Sequence, residues 1–309
     1  MGKKFNNLRA LLIAVALVVV IGLGVVLTKD DKQTSQGAVI QVVAGENFWG
    51  SLASQIGGKY VHVTSIVSDP NADPHEYETN ASDARAFATA NYVILNGAGY
   101  DSWGNKLVSA DNNSSQKVLT VATLLGKKDG DNPHFWYNPT YVNEVVAQIK
   151  SNLTQIDPSE ASYFNQQYKT LQTSLAVYQD RIAEIKKQFA GTKVAATEDI
   201  FQYLATATGL DLISPEPFIE AVAEGNDPPT SSVVTFQQQL ENDHPSALVY
   251  NEQTVTPLTN SMKQLAADNN IPIVGVTETI QPPDVPFQDW MNAELINLQN
   301  ALNSQELGQ

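Results

Sequence analysis

From Ala38 onward, short runs of β-branched and aliphatic residues alternate with longer amphipathic stretches. Ala38–Ala44 predicts a strand, and Asn47 opens a helix through Ile56 that Gly57-Gly58 ends. Val61–Val67 predicts a second strand. Asn80 is placed to cap the next helix, with Asp83 at its third position favoured by the helix dipole. Tyr92–Leu95 is a short buried strand stopped by Asn96-Gly97, and Val118–Val121 is another. Asn138-Pro139 starts a helix reaching Leu153, the proline falling in the first turn where its missing N–H costs nothing. The second half repeats the pattern, with strands at Val194–Thr197, Ala247–Tyr250 and Pro272–Val276. Helices follow at Ile200–Thr208, closed by Gly209, and at Pro257–Asn269. Strands alternating with helices predict an α/β fold with mostly parallel sheets, which bind ligands beyond the carboxyl ends of their strands.

Between the halves lies the most regular pattern of the chain. After the helix-start signals of Asp157-Pro158-Ser159-Glu160, the residues Phe164, Tyr168, Leu171, Leu175, Tyr178, Ile182, Ile185 and Phe189 alternate spacings of four and three, up to Gly191. A helix over Pro158–Ala190 is ~50 Å long at ~1.5 Å per residue. A coiled-coil dimer would give the same seam. The α/β segments on either side favour a rigid strut joining two lobes of a monomer, with divisions at 1–37, 38–157, 158–190 and 191–309.

Residues 1–37 form a separate unit. Lys3, Lys4 and Arg9 precede an uncharged run from Ala10 to Thr28, long enough for the ~20 apolar residues of a membrane-spanning helix. It reads as a signal peptide or an uncleaved anchor; the lack of a clear small-x-small site favours the anchor, with its basic end inside. The polar stretch Lys29–Gly37 reads as a stalk. The remainder is then extracytoplasmic.

Composition narrows the chemistry. The chain has no cysteine, which removes disulfides, thiolate metal sites, cysteine nucleophiles and lipid attachment through an N-terminal cysteine. Its net charge is −15; residues 1–37 contribute five basic and two acidic side chains, leaving −18 on the remainder. Such a surface repels phosphate backbones and argues against nucleic-acid binding, although solubility alone accounts for acidity.

Two of the four histidines lie in proline-stiffened loops: His75 in Asp73-Pro74-His75-Glu76-Tyr77-Glu78, and His134 in Asn132-Pro133-His134-Phe135-Trp136-Tyr137-Asn138-Pro139. Neutral imidazole is a common ligand for transition metals. A single loop histidine is more often a surface or capping residue; the repeated Pro-His arrangement is what raises these two. His62, in a strand, and His244, in a polar turn, read as structural or exposed. Glu198 and Glu278 each follow an apolar strand, where they are metal-ligand candidates or, equally, a helix cap (shared with Asp199) and an exposed strand end.

As a set these segments resemble the metal-binding solute receptors of bacterial ABC importers, the ZnuA/TroA-like cluster. The matching stretches are Asp73–Glu78, Asn96–Trp103, Asn132–Pro139, Thr197–Leu204 and Gly275–Thr279, in family order over residues 38–302. The resemblance implies two α/β lobes bridged by a long helix. It also implies a divalent cation, Mn2+ or Zn2+, held between them by His75, His134, Glu198 and Glu278, and an ABC permease as partner. Two departures stand out: no His-rich loop precedes His134, and the lipid-bearing cysteine of many relatives is missing. A receptor rather than an enzyme is expected. The competing classes are an extracellular zinc hydrolase, for which no His-Glu-x-x-His motif or dedicated base is present, and an adhesin or organic-solute receptor.

Overall fold

The computed structural model describes residues 39–69, 77–110 and 113–306. The apolar segment and stalk (1–37) and His75 lie outside the described residues. Among those described, no helix is long and apolar enough to cross a membrane.

Two four-stranded sheets carry the fold, and every strand pairing is parallel. The first lobe runs β1 (Ile40–Glu46), α1 (Asn47–Gly57), β2 (Val61–Val67), α2 (Ala81–Thr89), β3 (Tyr92–Leu95), α3 (Ser102–Ala110), β4 (Lys117–Thr120) and α4 (Pro139–Ile156). Its strand order is β2-β1-β3-β4. After the long helix α5 (Ala161–Phe189), the second lobe runs β5 (Lys193–Ala196), α6 (Gln202–Thr208), β6 (Asp211–Leu212), α7 (Glu216–Ala223), α8 (Thr230–Gln238), β7 (Leu248–Asn251), α9 (Pro257–Asp268), β8 (Ile273–Val276) and α10 (Phe287–Glu306). Its order, β6-β5-β7-β8, repeats that of the first. Each sheet therefore changes winding direction between its first and third strands, at β1/β3 and β5/β7, where such sheets open a crevice for a ligand.

Local signals act as their chemistry dictates. Asn80 accepts from the Ser82 and Asp83 N–H groups while Asp83 accepts from Asn80, a reciprocal capping box. Asn138 caps α4 through Thr140 and Tyr141, with Pro139 in the first turn. Asp157 accepts from Ser159 and starts a 3-10 turn, Pro158–Glu160; the α-helix proper begins at Ala161.

The heptad seam packs within the chain. Phe164, Leu171, Leu175, Tyr178, Ile182, Ile185 and Phe189 are all buried, Tyr168 partly, and α5 lies against α1 and α4 of the first lobe and α6 and α10 of the second. Arg181 adds hydrogen bonds to Asn292 (2.7 Å) and Gln299 (2.8 Å) on α10. Burying each large aliphatic contributes about 1.5–3 kcal/mol, so this helix is a shared wall of the core. It leaves no apolar stripe for a coiled-coil partner.

Candidate metal centre

The His134 loop is held from both sides. The 3-10 turn Phe135–Tyr137 buries all three aromatics, with Trp136 stacked on Phe48 of α1 at 4.1 Å between centroids. Asn96, at the end of β3, accepts from the Trp49 indole (3.1 Å) and donates to the Pro133 carbonyl (2.9 Å). Asn132 reaches into the second lobe: it donates to the Asp199 carbonyl (2.8 Å) and Gln202 (3.1 Å), and its own carbonyl accepts from the Tyr203 hydroxyl (2.9 Å).

His134 is 0% exposed. Its Nδ1 lies 2.9 Å from Asn132 Oδ1, the aligned hydrogen bond, and 3.1 Å from Asp199 Oδ1, the charge partner. Two oxygen acceptors at Nδ1 set the tautomer with the proton there, the usual outer arrangement for a metal-ligating histidine. Burial alone would depress this imidazole's pKa. The Asp199 carboxylate, with a smaller push from Glu278, outweighs it and raises the pKa above the ordinary value.

Glu198 leaves β5 in extended conformation (φ −154°, ψ 177°) and is 1% exposed. Glu278 follows β8 and is equally buried. Its Oε1 accepts from Asn251 Nδ2 (2.5 Å) and its Oε2 from the Tyr100 hydroxyl (2.7 Å), the latter reaching across from the first lobe. Gln253 accepts from the Glu278 (2.6 Å) and Thr279 (3.1 Å) N–H groups and so fixes the loop backbone.

Tyr100 sits in a strained loop. Gly97, Ala98 and Gly99 have φ of 77°, 56° and 90°, and a side chain at Gly97 would come within 2.7 Å of Thr120 and 2.9 Å of Ala122. Asp101 holds this loop by accepting from the Asn96 (2.6 Å) and Gly97 (2.8 Å) N–H groups. Facing Asp101 is Glu46, at the end of β1 and 1% exposed. Burial, then Asp101 and then Glu278, push the Glu46 carboxyl well above the ordinary range.

Glu46, Asp101, Glu198, Asp199 and Glu278 are thus all buried around the crevice, whereas no lysine or arginine is buried among the described residues. An acidic cavity of about 650 Å3 leads to His134, lined in part by Tyr100, Asp199, Tyr203, Glu220 and Glu224. This excess of negative charge has only protons or an added cation to balance it.

Of the four expected site residues, His134 of the first lobe and Glu278 of the second lie close enough for the Glu278 charge to act on the imidazole, and Glu198 is buried at the end of β5 beside Asp199. His75 lies outside the described residues, and among those described no three His, Asp or Glu side chains converge tightly enough to hold a metal ion. Asp199 is placed on His134. Asn132, Tyr100, Asp101 and Glu46 carry no motif or periodicity that assigns them these places. Glu46 did carry a signal, an acid closing an apolar strand.

The model of the family described as zinc-uptake complex component A, periplasmic (ZnuA), matches residues 42–301. The chain belongs to the ZnuA family. A manganese-binding lipoprotein MntA of Halalkalibacterium halodurans is 27% identical over 260 residues, covering 81% of this chain and 83% of the relative. A manganese ABC transporter substrate-binding lipoprotein PsaA of Streptococcus mitis is 25% identical, covering 88% of each. Among solved structures, the periplasmic zinc-binding protein TroA of Treponema pallidum superposes with a TM-score of 0.71 at 15% identity, over 86% of this chain and 99% of its own. The Mn-bound periplasmic metal-binding protein of Candidatus Liberibacter asiaticus gives 0.70 at 19% identity, over 84% and 98%. These structures share the two-lobe fold.

Proposed function

We propose that this chain is an extracytoplasmic receptor that captures a divalent transition metal, Mn2+ or Zn2+, between its lobes and delivers it to an ABC permease. The ligands are His75, His134, Glu198 and Glu278. The carrying observation is a fully buried imidazole, oriented at Nδ1 by Asn132 and Asp199, among buried carboxylates with no buried lysine or arginine. With Nδ1 so engaged, the metal takes Nε2. Two imidazoles and two carboxylates leave a site of net charge −2, complementary to a dication. Nitrogen donors suit zinc and oxygen donors suit manganese, and zinc binds such mixed sites more tightly in general. The related lipoproteins whose names specify manganese bring Mn2+ forward as the physiological cargo.

In this reading the protein binds and releases without chemical conversion, acts as a monomer, takes no nucleic acid, and is tethered by residues 1–37. Tyr100, Asn132 and Tyr203 already join the lobes, which favours small movements over wide opening.

The test is titration of the metal-free protein with Mn2+ and Zn2+, alongside His134→Ala and His75→Ala, with elemental analysis of protein purified without chelator. Each variant is expected to lose at least the ~10–100-fold typical of outer-shell partners. An unchanged dissociation constant in His134→Ala would overturn the assignment.

A further inference from the structure

The loop carrying Glu278 is held by a buried acid that the metal centre itself does not use. Glu294, on α10, is 7% exposed; its Oε1 accepts from the Thr277 N–H at 3.0 Å. The Thr277 hydroxyl accepts from the Trp290 indole (3.0 Å) and lies 2.8 Å from the Thr279 carbonyl, against 3.3 Å from Glu294 Oε1, so its one proton belongs to Thr279. The Tyr137 hydroxyl, from the His134 loop, lies 2.9 Å from the Thr277 carbonyl and 2.7 Å from Glu294 Oε2.

Counting protons decides the state of this network. A phenol has one proton to donate, and here two buried acceptors lie within reach of it. If Glu294 is ionised, whichever oxygen Tyr137 does not serve, Oε2 or the Thr277 carbonyl, is left without an aligned hydrogen-bond donor among the described residues, the Trp290 indole being aligned on the Thr277 hydroxyl, a costly arrangement. If Glu294 carries a proton on Oε2, it donates to the Tyr137 oxygen, Tyr137 donates to the Thr277 carbonyl, and every group is satisfied.

We propose that Glu294 is held as the neutral acid, and that its O–H, through the Tyr137 hydroxyl, locks the loop bearing Glu278 to the loop bearing His134. Glu294 is then a positioning residue of the metal centre. The proton stands on the network alone; the positioning of a metal ligand rests on the function proposed above. Burial pushes this carboxyl up to about 8, and the nearby donor groups of Tyr137, Thr277 and Trp290 oppose the rise. The titratable groups facing it are Tyr137, itself raised by burial and by Glu294, and beyond that Glu278.

The test compares full-length wild type with Glu294→Gln, a neutral near-isostere that keeps a donor, and Tyr137→Phe. In metal-free protein, the thermal midpoint is followed from about pH 5 to 9. Folded Glu294 holds a proton that the unfolded chain releases above its ordinary pKa of 4.5, so this contribution is present at acid pH and lost as pH rises toward 8. The midpoint of Glu294→Gln relative to wild type is expected to climb through that window and level off above it. In Mn2+ titrations near pH 7, Glu294→Gln is expected to stay within about threefold of wild type, while Tyr137→Phe loses about tenfold. A midpoint difference that does not change with pH overturns the proposed proton. A tenfold loss in Glu294→Gln at pH 7 overturns the neutral O–H as the link between the loops, and no loss in Tyr137→Phe overturns the positioning role. If wild type binds neither metal, the functional reading fails and the metal-free arm still decides the protonation of Glu294.

Discussion

Asp199→Asn separates charge from geometry at the proposed metal centre. Asp199 Oδ1 lies 3.1 Å from His134 Nδ1, and its side chain is 10% exposed, so solvent screens the pair little. Asparagine keeps the shape and an acceptor oxygen, and Asn132 still holds the ring at 2.9 Å. What goes is the negative charge that makes the imidazole a stronger donor. Loss of an outer-shell partner costs ~10–100-fold in affinity; with orientation retained, the lower end is expected, about tenfold or ~1.4 kcal/mol. The pH profile moves the other way. Protons compete with metal for His134, and Asp199 is the largest influence raising its pKa against burial. Removing that charge lowers the pKa, so the acid loss of affinity shifts to lower pH. The deficit of the variant should be greatest near pH 7.5 and shrink toward pH 5.5. Without metal the sign reverses: an imidazole with a raised folded pKa stabilises the wild-type fold below its ordinary pKa of 6.5, and this is lost as pH rises through the folded value. Calorimetric titration with Mn2+ across this range, with chelator competition for tight binding, reads both effects. A pH-independent ratio of affinities, or a variant within about twofold of wild type at pH 7.5, would refute the reasoning.

Two further outcomes follow. Tyr100→Phe removes a buried 2.7 Å hydrogen bond to Glu278, a charge-assisted contact of ~1.5–3 kcal/mol. Because Asn251 still holds the other oxygen, Mn2+ affinity should fall about tenfold, and equal affinities would show that the bond does not orient the carboxylate. Leu175→Ala, at the centre of the α5 seam and 0% exposed, should cost ~2–5 kcal/mol in denaturant unfolding. A loss under about 1 kcal/mol would mean the seam is not tightly packed.

Much of the architecture was legible because it is written in local periods and caps. The strands at Val61–Val67 and Tyr92–Leu95 and the caps at Asn80 and Asn138 depend on residues within one turn or one strand of each other. The small elements of the second lobe were not legible. β6 is two residues long, and α7 and α8 lie among Pro215, Pro217, Pro228 and Pro229, too short and interrupted for a period to show. The seam of α5 announced a long helix but not its partner; α10, more than a hundred residues downstream, supplies it.

At the site, the repeated Pro-His motif singled out His75 and His134, while Glu198 and Glu278, acids after apolar strands that open onto the crevice of a parallel sheet, were evenly balanced candidates until the family resemblance was added. Residue type and place in the pattern could not assign the work of Asp199, Tyr100, Glu46 or Glu294. Thirty-three acidic side chains look alike in one dimension. Each takes its role, metal donor, orienter of an imidazole or holder of a proton, from how deeply it is buried and which donor faces it. Those facing groups come from the other lobe or from distant loops, so packing assigns them.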